Sequence, residues 1–116
     1  MANQEKGKKG EDLASRYLEG KNYQIRERNF RFGRNEIDII AQKDGVLIFV
    51  EVKLRTSTSF GFPEEMLKEA QKERIISAAQ EYIFKMDWDD DIRFDIIAIL
   101  QNKSIFEIEH FEDAFY

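Results

Sequence analysis

Two apolar runs in the middle of the chain set the pattern for the rest. Residues 36–43 (EIDIIAQK) and 46–55 (VLIFVEVKLR) are rich in β-branched and aromatic residues, which suits buried strands. Asp44-Gly45 between them is the signature of a two-residue type I′ turn. With those two residues in the loop, Lys43 pairs with Val46. Counting back along both strands sets Asp38 opposite Glu51 and Glu36 opposite Lys53, all on one face. A slip of one residue would send every one of these side chains to the other face.

The remaining elements follow from spacing. Residues 1–9 are polar and expected to fray. Leu13, Ala14, Tyr17 and Leu18 fall at helical spacing and predict a first helix through residue 19, ended by Gly20. Residues 23–30 (YQIRERNF) alternate and predict a strand with one exposed face, followed by a loop over residues 31–35. A hydroxyl-rich loop at residues 56–62 (TSTSFGF) is expected to be mobile and exposed. A long helix is predicted from Pro63 to about Lys85. Pro63 fits its first turn, Glu64 and Glu65 follow it, and Met66, Leu67, Ala70, Ile75, Ala78, Ala79, Tyr82 and Ile83 form its apolar stripe. Residues 87–91 read as an acidic, solvated turn around Trp88, lacking the Gly and closing Glu of a calcium loop. A strand over 92–100, a turn at Asn102-Lys103 and a last strand over 104–110 complete the chain. Strand, helix, strand across 46–100 implies a right-handed parallel crossover. The expected fold is α/β, a mixed β-sheet with flanking helices in the order αβββαββ, as a single domain over residues 1–116.

Composition narrows the class. At 116 residues and 42% hydrophobic, with ten Phe, the chain can fill one core. It has no apolar run of transmembrane length and no signal-peptide pattern at its start, so no membrane partner is expected. The absence of Cys excludes thiol chemistry, disulfides and cysteine-based zinc sites and fits a cytoplasmic protein. Net charge is −5, unevenly spread. Residues 1–35 hold nine Lys/Arg and five Asp/Glu, residues 36–85 seven and nine, residues 86–116 two and nine. A basic first third beside an acidic end suits a polyanion docking on one side only.

The hairpin carries the candidate chemistry. Glu36, Asp38, Glu51 and Lys53 stand within apolar strands, with more acids than one lysine can neutralise. Such a surplus suits a hard cation: Mg²⁺ takes one or two carboxylates together with water and phosphate oxygens. Lys53 beside it would orient a water or hold a phosphate oxygen. Arg26, Arg28, Arg31 and Arg34 cluster within nine residues, and Arg suits bidentate phosphate contacts. The interleaved Phe30 and Phe32 read as core before base-stacking surface. Gln71 does not complete a Q-x-x-x-Y pattern, because residue 75 is Ile. His110, the only His, has no Ser, Cys or second His arranged around it and reads as structural.

The ordered set Glu36-Ile-Asp38, spacer, Glu51-Val-Lys53 resembles the PD-(D/E)XK nuclease superfamily, with a restriction-endonuclease-like, resolvase-like core. More narrowly, the chain resembles the YraN family of uncharacterised bacterial proteins. That likeness extends to Lys9-Gly10-Glu11, Asn29-Phe30-Arg31, Phe60-Gly61, Arg93-Phe94-Asp95 and the closing residues 110–115. Asn35 stands where that family usually has Gly, and Ile37 where the superfamily has Pro. Asn tolerates left-handed backbone, so a turn there can survive. The resemblance implies a nuclease hydrolysing DNA phosphodiesters, on branched or damaged substrates, with Mg²⁺ or Mn²⁺ as cofactor. Asp38, Glu51, Lys53 and Glu36 would be catalytic, and Asp38, Glu51 and Glu11 would hold the metal. Arg31, Arg34, Arg55 and Lys72 would contact nucleic acid. The alternative is a non-catalytic nucleic-acid-binding module that kept the fold. Either a monomer or a homodimer is compatible with the pattern.

Overall fold

The computed structural model describes residues 2–56 and 61–116. The hydroxyl-rich stretch at 57–60, with Phe60 of the Phe60-Gly61 pair, lies outside the described residues. In chain order the elements are α1 (Ala2–Gly20), β1 (Gln24–Phe32), β2 (Asn35–Lys43), β3 (Val46–Arg55), a one-turn α2 (Pro63–Met66), α3 (Glu69–Met86), β4 (Asp91–Asn102) and β5 (Ile105–Phe111). The five strands form one mixed sheet in the order β1-β2-β3-β4-β5. The β3–β4 pair is parallel and the others are antiparallel. Among the described residues no helix is long and apolar enough to cross a membrane.

Turn chemistry sets the strand ends. Asp44 and Gly45 both take positive φ, 53° and 78°, and Lys43 pairs with Val46 as the I′ turn requires. The β1–β2 connection is tighter than the sequence suggests. Strand β1 runs on to Phe32, which pairs with Asn35, leaving only Gly33 and Arg34 in the turn. Gly33 supplies the positive φ there (62°), while Asn35 is ordinary strand. The last turn shifts by one residue, because Asn102 pairs with Ile105 and Lys103 takes φ 58°.

The helices also depart from expectation at their ends. The first begins at Ala2, so residues 2–9 are helical rather than frayed. It is closed by Asn22 (φ 70°) and not by Gly20: Tyr23 N–H reaches Leu18 O and Asn22 N–H reaches Glu19 O, a Schellman closure. The long second helix is broken. Leu67 is extended (φ −127°, ψ 135°) and buried, and α3 restarts behind Lys68. Gln71 Oε1 accepts from Lys68 N–H at 3.0 Å, the backward half of a capping box. Ala70, assigned to the apolar stripe, is exposed.

The sheet is covered on both faces. Helix α3 lays Ile75, Ala78, Ala79 and Tyr82 against Ile40, Phe49, Phe94 and Ile96. Helix α1 lays Ala14 and Leu18 against Ile39, Ala41, Ile48, Val50, Ile97 and Ile99. Each large apolar side chain among these contributes about 1.5–3 kcal/mol by leaving water. Phe30 joins the α3-side core edge-on to Tyr82, whereas Phe32 is 43% exposed.

One polar network is buried in this core. Asp95 is fully buried and takes a bidentate pair from Arg93 (2.8 Å each), His110 Nε2 (2.7 Å) and Asp113 N–H (3.0 Å). Arg93 also donates to the Tyr23 hydroxyl at 2.9 Å. Burial alone would raise the Asp95 pKa, but these hydrogen bonds and the Arg93 charge outweigh it and hold the carboxyl below its usual range. Asp95 of β4 thus holds His110 of β5 and the backbone of Asp113 together, and His110 serves in this network. Because Asp95 is depressed, its contribution is present above the unfolded-state carboxylate pKa and is lost as pH falls through the folded value. Asp95→Ala removes the buried partner shared by half-buried Arg93, His110 and the Asp113 N–H, leaving Arg93 only Glu112 at 3.1 Å and the Tyr23 hydroxyl, and should cost about 3 kcal/mol in urea unfolding at pH 7. A loss under about 1 kcal/mol would mean that the network behaves as a surface pair.

Candidate functional site

The hairpin that is paired at its turn comes apart at its other end. The β2–β3 ladder runs from Lys43↔Val46 to Ile39↔Val50 and stops. One step further on, Val52 N–H donates to Asp38 Oδ2 at 2.8 Å. A side-chain oxygen thus takes a backbone donor of β3. Facing also changes here. Ile39 and Ala41 belong to the α1-side core, whereas Ile37 belongs to the α3-side core. Strict strand alternation would put all three on one side, so the break falls at Asp38. Its counterpart on β1 is Asn29, which takes φ 56° between the pairs Arg28↔Ile39 and Phe30↔Ile37. Outside Gly, Asn is among the residues that enter this left-handed region most readily.

The opening faces the first half of α1. Glu11, Glu36 and Asp38 each offer a carboxylate oxygen, and the three oxygens lie within 4.8 Å of one another. Glu11 is 9% exposed, and its Oε1 is buried with no hydrogen-bond partner. Burial raises its pKa, and the Asp38 and Glu36 charges add to that. The Asn29 hydrogen bond and the Arg28 charge, 3.7 Å away, only partly offset them. Glu51 is more strongly affected. Burial, then a hydrogen bond and charge repulsion from Asp38, push its carboxyl up to about 9 against the pull of Lys53. Glu11, Asp38 and Lys53 line a cleft of about 270 Å³. Glu11 also lines a neighbouring cleft of about 470 Å³ that contains Arg28, Asn29, Arg31 and Glu36. The donor set is all oxygen, as a hard cation requires. An orphaned buried carboxylate oxygen and a carboxyl forced toward neutrality fit a positive charge at this point.

The expected register holds only in part. Its turn half is as counted, but the pairs Asp38–Glu51 and Glu36–Lys53 are not formed as ladder pairs. Glu36 pairs with Arg31 of β1 instead, at 3.0 Å between Arg31 Nη2 and Glu36 Oε2. Among the described residues no ion pair joins Lys53 to Glu36. The structure thus brings together Glu11, Glu36 and Asp38, places Lys53 in the cleft with Glu11 and Asp38, and joins Glu51 to them through Asp38 while it lines neither of the two clefts. Arg34 is exposed in the β1–β2 turn, and Arg55 is exposed at the end of β3. Lys72 lies on α3, bound to Glu69 at 3.2 Å, and lines neither cleft. Arg26 leaves the phosphate-binding group: it donates to the Tyr82 hydroxyl and to Gln42.

Two residues of the site were not singled out for it from the sequence. Asn29 takes left-handed backbone in β1 and hydrogen-bonds Glu11. Arg28 bridges Glu11 and Asp12, at 2.7 Å to the latter. Besides the family likeness at Asn29-Phe30-Arg31, the sequence signal for Asn29 is a poor strand former inside an otherwise strand-like run.

Fold and site define a mixed-sheet α/β protein with a carboxylate-lined cleft between its first helix and an opened hairpin. The chain belongs to the uncharacterised protein family UPF0102, whose model matches residues 10–99. It is 50% identical over 110 residues to a UPF0102 protein of Flavobacterium psychrophilum, covering 95% of this chain and 92% of that protein. A UPF0102 protein of Flavobacterium johnsoniae is 47% identical, covering 97% and 94%. One of Persephonella marina is 46% identical, covering 96% of each. The matched span contains all five residues of the site.

The Glu51 shift has a defined sign. The folded state keeps a proton that the unfolded chain releases near its ordinary value of 4.5, so the stabilisation is full below that pH and is lost as pH rises toward about 9. In chelator, the melting temperature should fall across this window. Glu51→Gln should melt above wild type at pH 8 and lose that part of the pH dependence. Identical melting profiles for the two proteins would show that Glu51 ionises freely.

Proposed function

We propose that the protein is a metal-dependent nuclease that hydrolyses phosphodiester bonds in DNA, on a restriction-endonuclease-like core. One observation carries this reading: the carboxylates of Glu11, Glu36 and Asp38, from α1 and β2, cluster at the opening of the hairpin, with Lys53 in the same cleft as Glu11 and Asp38 and Glu51 hydrogen-bonded to Asp38. The likeness of residues 36–55 to the PD-(D/E)XK pattern supports it. So does the basic first third of the chain, which supplies Arg28 and Arg31 to the same margin. Branched or damaged duplexes are the substrates to try first.

Asp38, Glu11 and Glu36, together with Glu51 beside Asp38, would hold Mg²⁺ or Mn²⁺. When bound, such an ion supplies Lewis-acid polarisation of the phosphate and lowers the pKa of a coordinated water. Asp38 is kept in place by the Val52 N–H. Glu11 is aimed by Asn29 and Arg28. Lys53 lies in the cleft with Asp38 and Glu11, where its ammonium stabilises the negative charge that builds on the phosphoryl oxygens. Arg31, held on Glu36 in the free protein, is within reach of a phosphate entering the neighbouring cleft. Water oxygen bonds to phosphorus as the bond to the leaving sugar oxygen breaks; the proton lost by the attacking water passes to solvent, and the leaving oxygen takes up a proton from solvent to depart as a hydroxyl.

The test is a Mn²⁺ cleavage assay on duplex, flap and four-way-junction DNA, run beside circular dichroism. Lys53→Ala should stay folded and lose cleavage by about 10²–10³-fold. Folded Lys53→Ala cleaving at the wild-type rate would overturn the role given to Lys53. A wild type with no metal-dependent cleavage on any of these substrates would favour the alternative, a nucleic-acid-binding module without catalysis.

A further inference from the structure

A groove on the outer side of α1 is independent of the carboxylate opening. It is lined by Lys8, Lys9, Asp12, Leu13, Arg16 and Phe106 and measures about 490 Å³. Asp12 is the one acid among its described lining residues; it pairs with Arg28 at 2.7 Å and also feels the Lys8 and Arg16 charges. Three exposed cations thus share a single acid that is already engaged. Phe106 is half-buried on β5 and packs toward the α1 side of the sheet, together with Ile108. Glu107 and Glu109 alternate with them and are exposed, so strand alternation carries these acids away from the groove. The Lys9 ammonium lies 4.7 Å from the centre of the Phe106 ring, an exposed cation–π pair that a competing ligand can displace. Lys8 also lines the cleft that contains Glu11, Arg31 and Glu36. Lys8 thus stands between this groove and the cleft beside the opening.

Cations flanking a weakly covered aromatic ring recognise one ligand chemistry well: an unpaired nucleotide, with its base on the ring and its phosphates on the cations. A duplex offers the phosphates but keeps its base faces stacked. We infer that this groove binds a single-stranded nucleic-acid segment running out of the carboxylate opening. Lys8, Lys9 and Arg16 take its phosphates, and one base takes the place of the Lys9 ammonium over Phe106. The inference rests on the nuclease reading for what lies at the other end of the strand, but not for the binding itself. It also specifies the substrate class, a duplex carrying a flap or an open single strand.

The probe is a fluorescein-labelled oligo-dT of about 15 nucleotides, within the site sizes common for single-strand grooves, measured by anisotropy in chelator beside a blunt duplex. Phe106→Leu keeps an apolar side chain in the sheet. It should weaken oligo-dT binding about tenfold, the low to middle range for one stacked base, and leave duplex binding within about twofold. Lys8→Gln/Arg16→Gln should lower the salt dependence of oligo-dT binding by about 1.4, at about 0.7 for each phosphate no longer neutralised. Circular dichroism confirms folding, and Phe106→Tyr, which keeps a ring, should bind as wild type. Oligo-dT binding that is unchanged in both Phe106→Leu and Lys8→Gln/Arg16→Gln, or no oligo-dT binding by wild type, would overturn the inference. A groove that passes these tests in a protein without cleavage would leave the strand site standing and remove the nuclease reading.

Discussion

The hydrogen bond from Val52 N–H to Asp38 Oδ2 is the interaction on which the rest of the site depends. Without it, the hairpin set by Asp44-Gly45 would continue as a regular ladder and close the space between β2 and β3. With it, a backbone donor that an opening would otherwise leave unsatisfied is paired, so the strands part without the penalty of an orphaned group. Asn29, at φ 56°, faces this point from the neighbouring strand, and β1 stays in register with β2 across it. Glu36 and Asp38 then stand beside Glu11 of α1, which a flat sheet would not allow.

Two buried carboxylate sites in one small sheet make the electrostatics plain. Asp95 has a bidentate Arg, a His and a backbone N–H around it, and its pKa is held down. Glu11 and Glu51 are also removed from water, but their nearest charged neighbours are mostly other carboxylates, and both are pushed up. The difference is the local supply of positive charge. Arg31 pairs with Glu36 at 3.0 Å and Arg28 stands 3.7 Å from Glu11 at the margin, which leaves Asp38 and Glu51 with Lys53 alone, whereas Arg93 and His110 suffice for one Asp. A divalent cation at the opening would bring the second site to the condition of the first.

Much of this was legible in the chain. β-branched runs and a two-residue turn are local signals, so the hairpin, its register near the turn and the parallel return to β4 could be read from spacing. The candidate acids do gather at one opening, Glu11 among them, although only family likeness pointed to Glu11. What was not legible depends on tertiary context. The register beyond Ile39 fails because a side chain replaces a backbone partner. The helix from Pro63 breaks at Leu67, where an extended residue buries its side chain and Lys68 restarts the helix with Gln71. Asn22 ends α1 two residues after Gly20, because helix closure is decided by a left-handed residue and not by the mere presence of Gly. Arg26 sits in the same basic run as Arg31, and only packing tells that its guanidinium serves the Tyr82 hydroxyl.

The central claim is that the opened hairpin holds a divalent cation through Asp38 and its neighbours. Calorimetric titration of Mn²⁺ into wild type and folded Asp38→Asn at pH 7.5 tests it most directly. One or two ions should bind wild type, with proton release from the Glu51 site visible as a buffer-dependent enthalpy, and Asp38→Asn should bind at least about tenfold more weakly. Equal Mn²⁺ affinity in the two proteins, or no binding to wild type, would contradict the account.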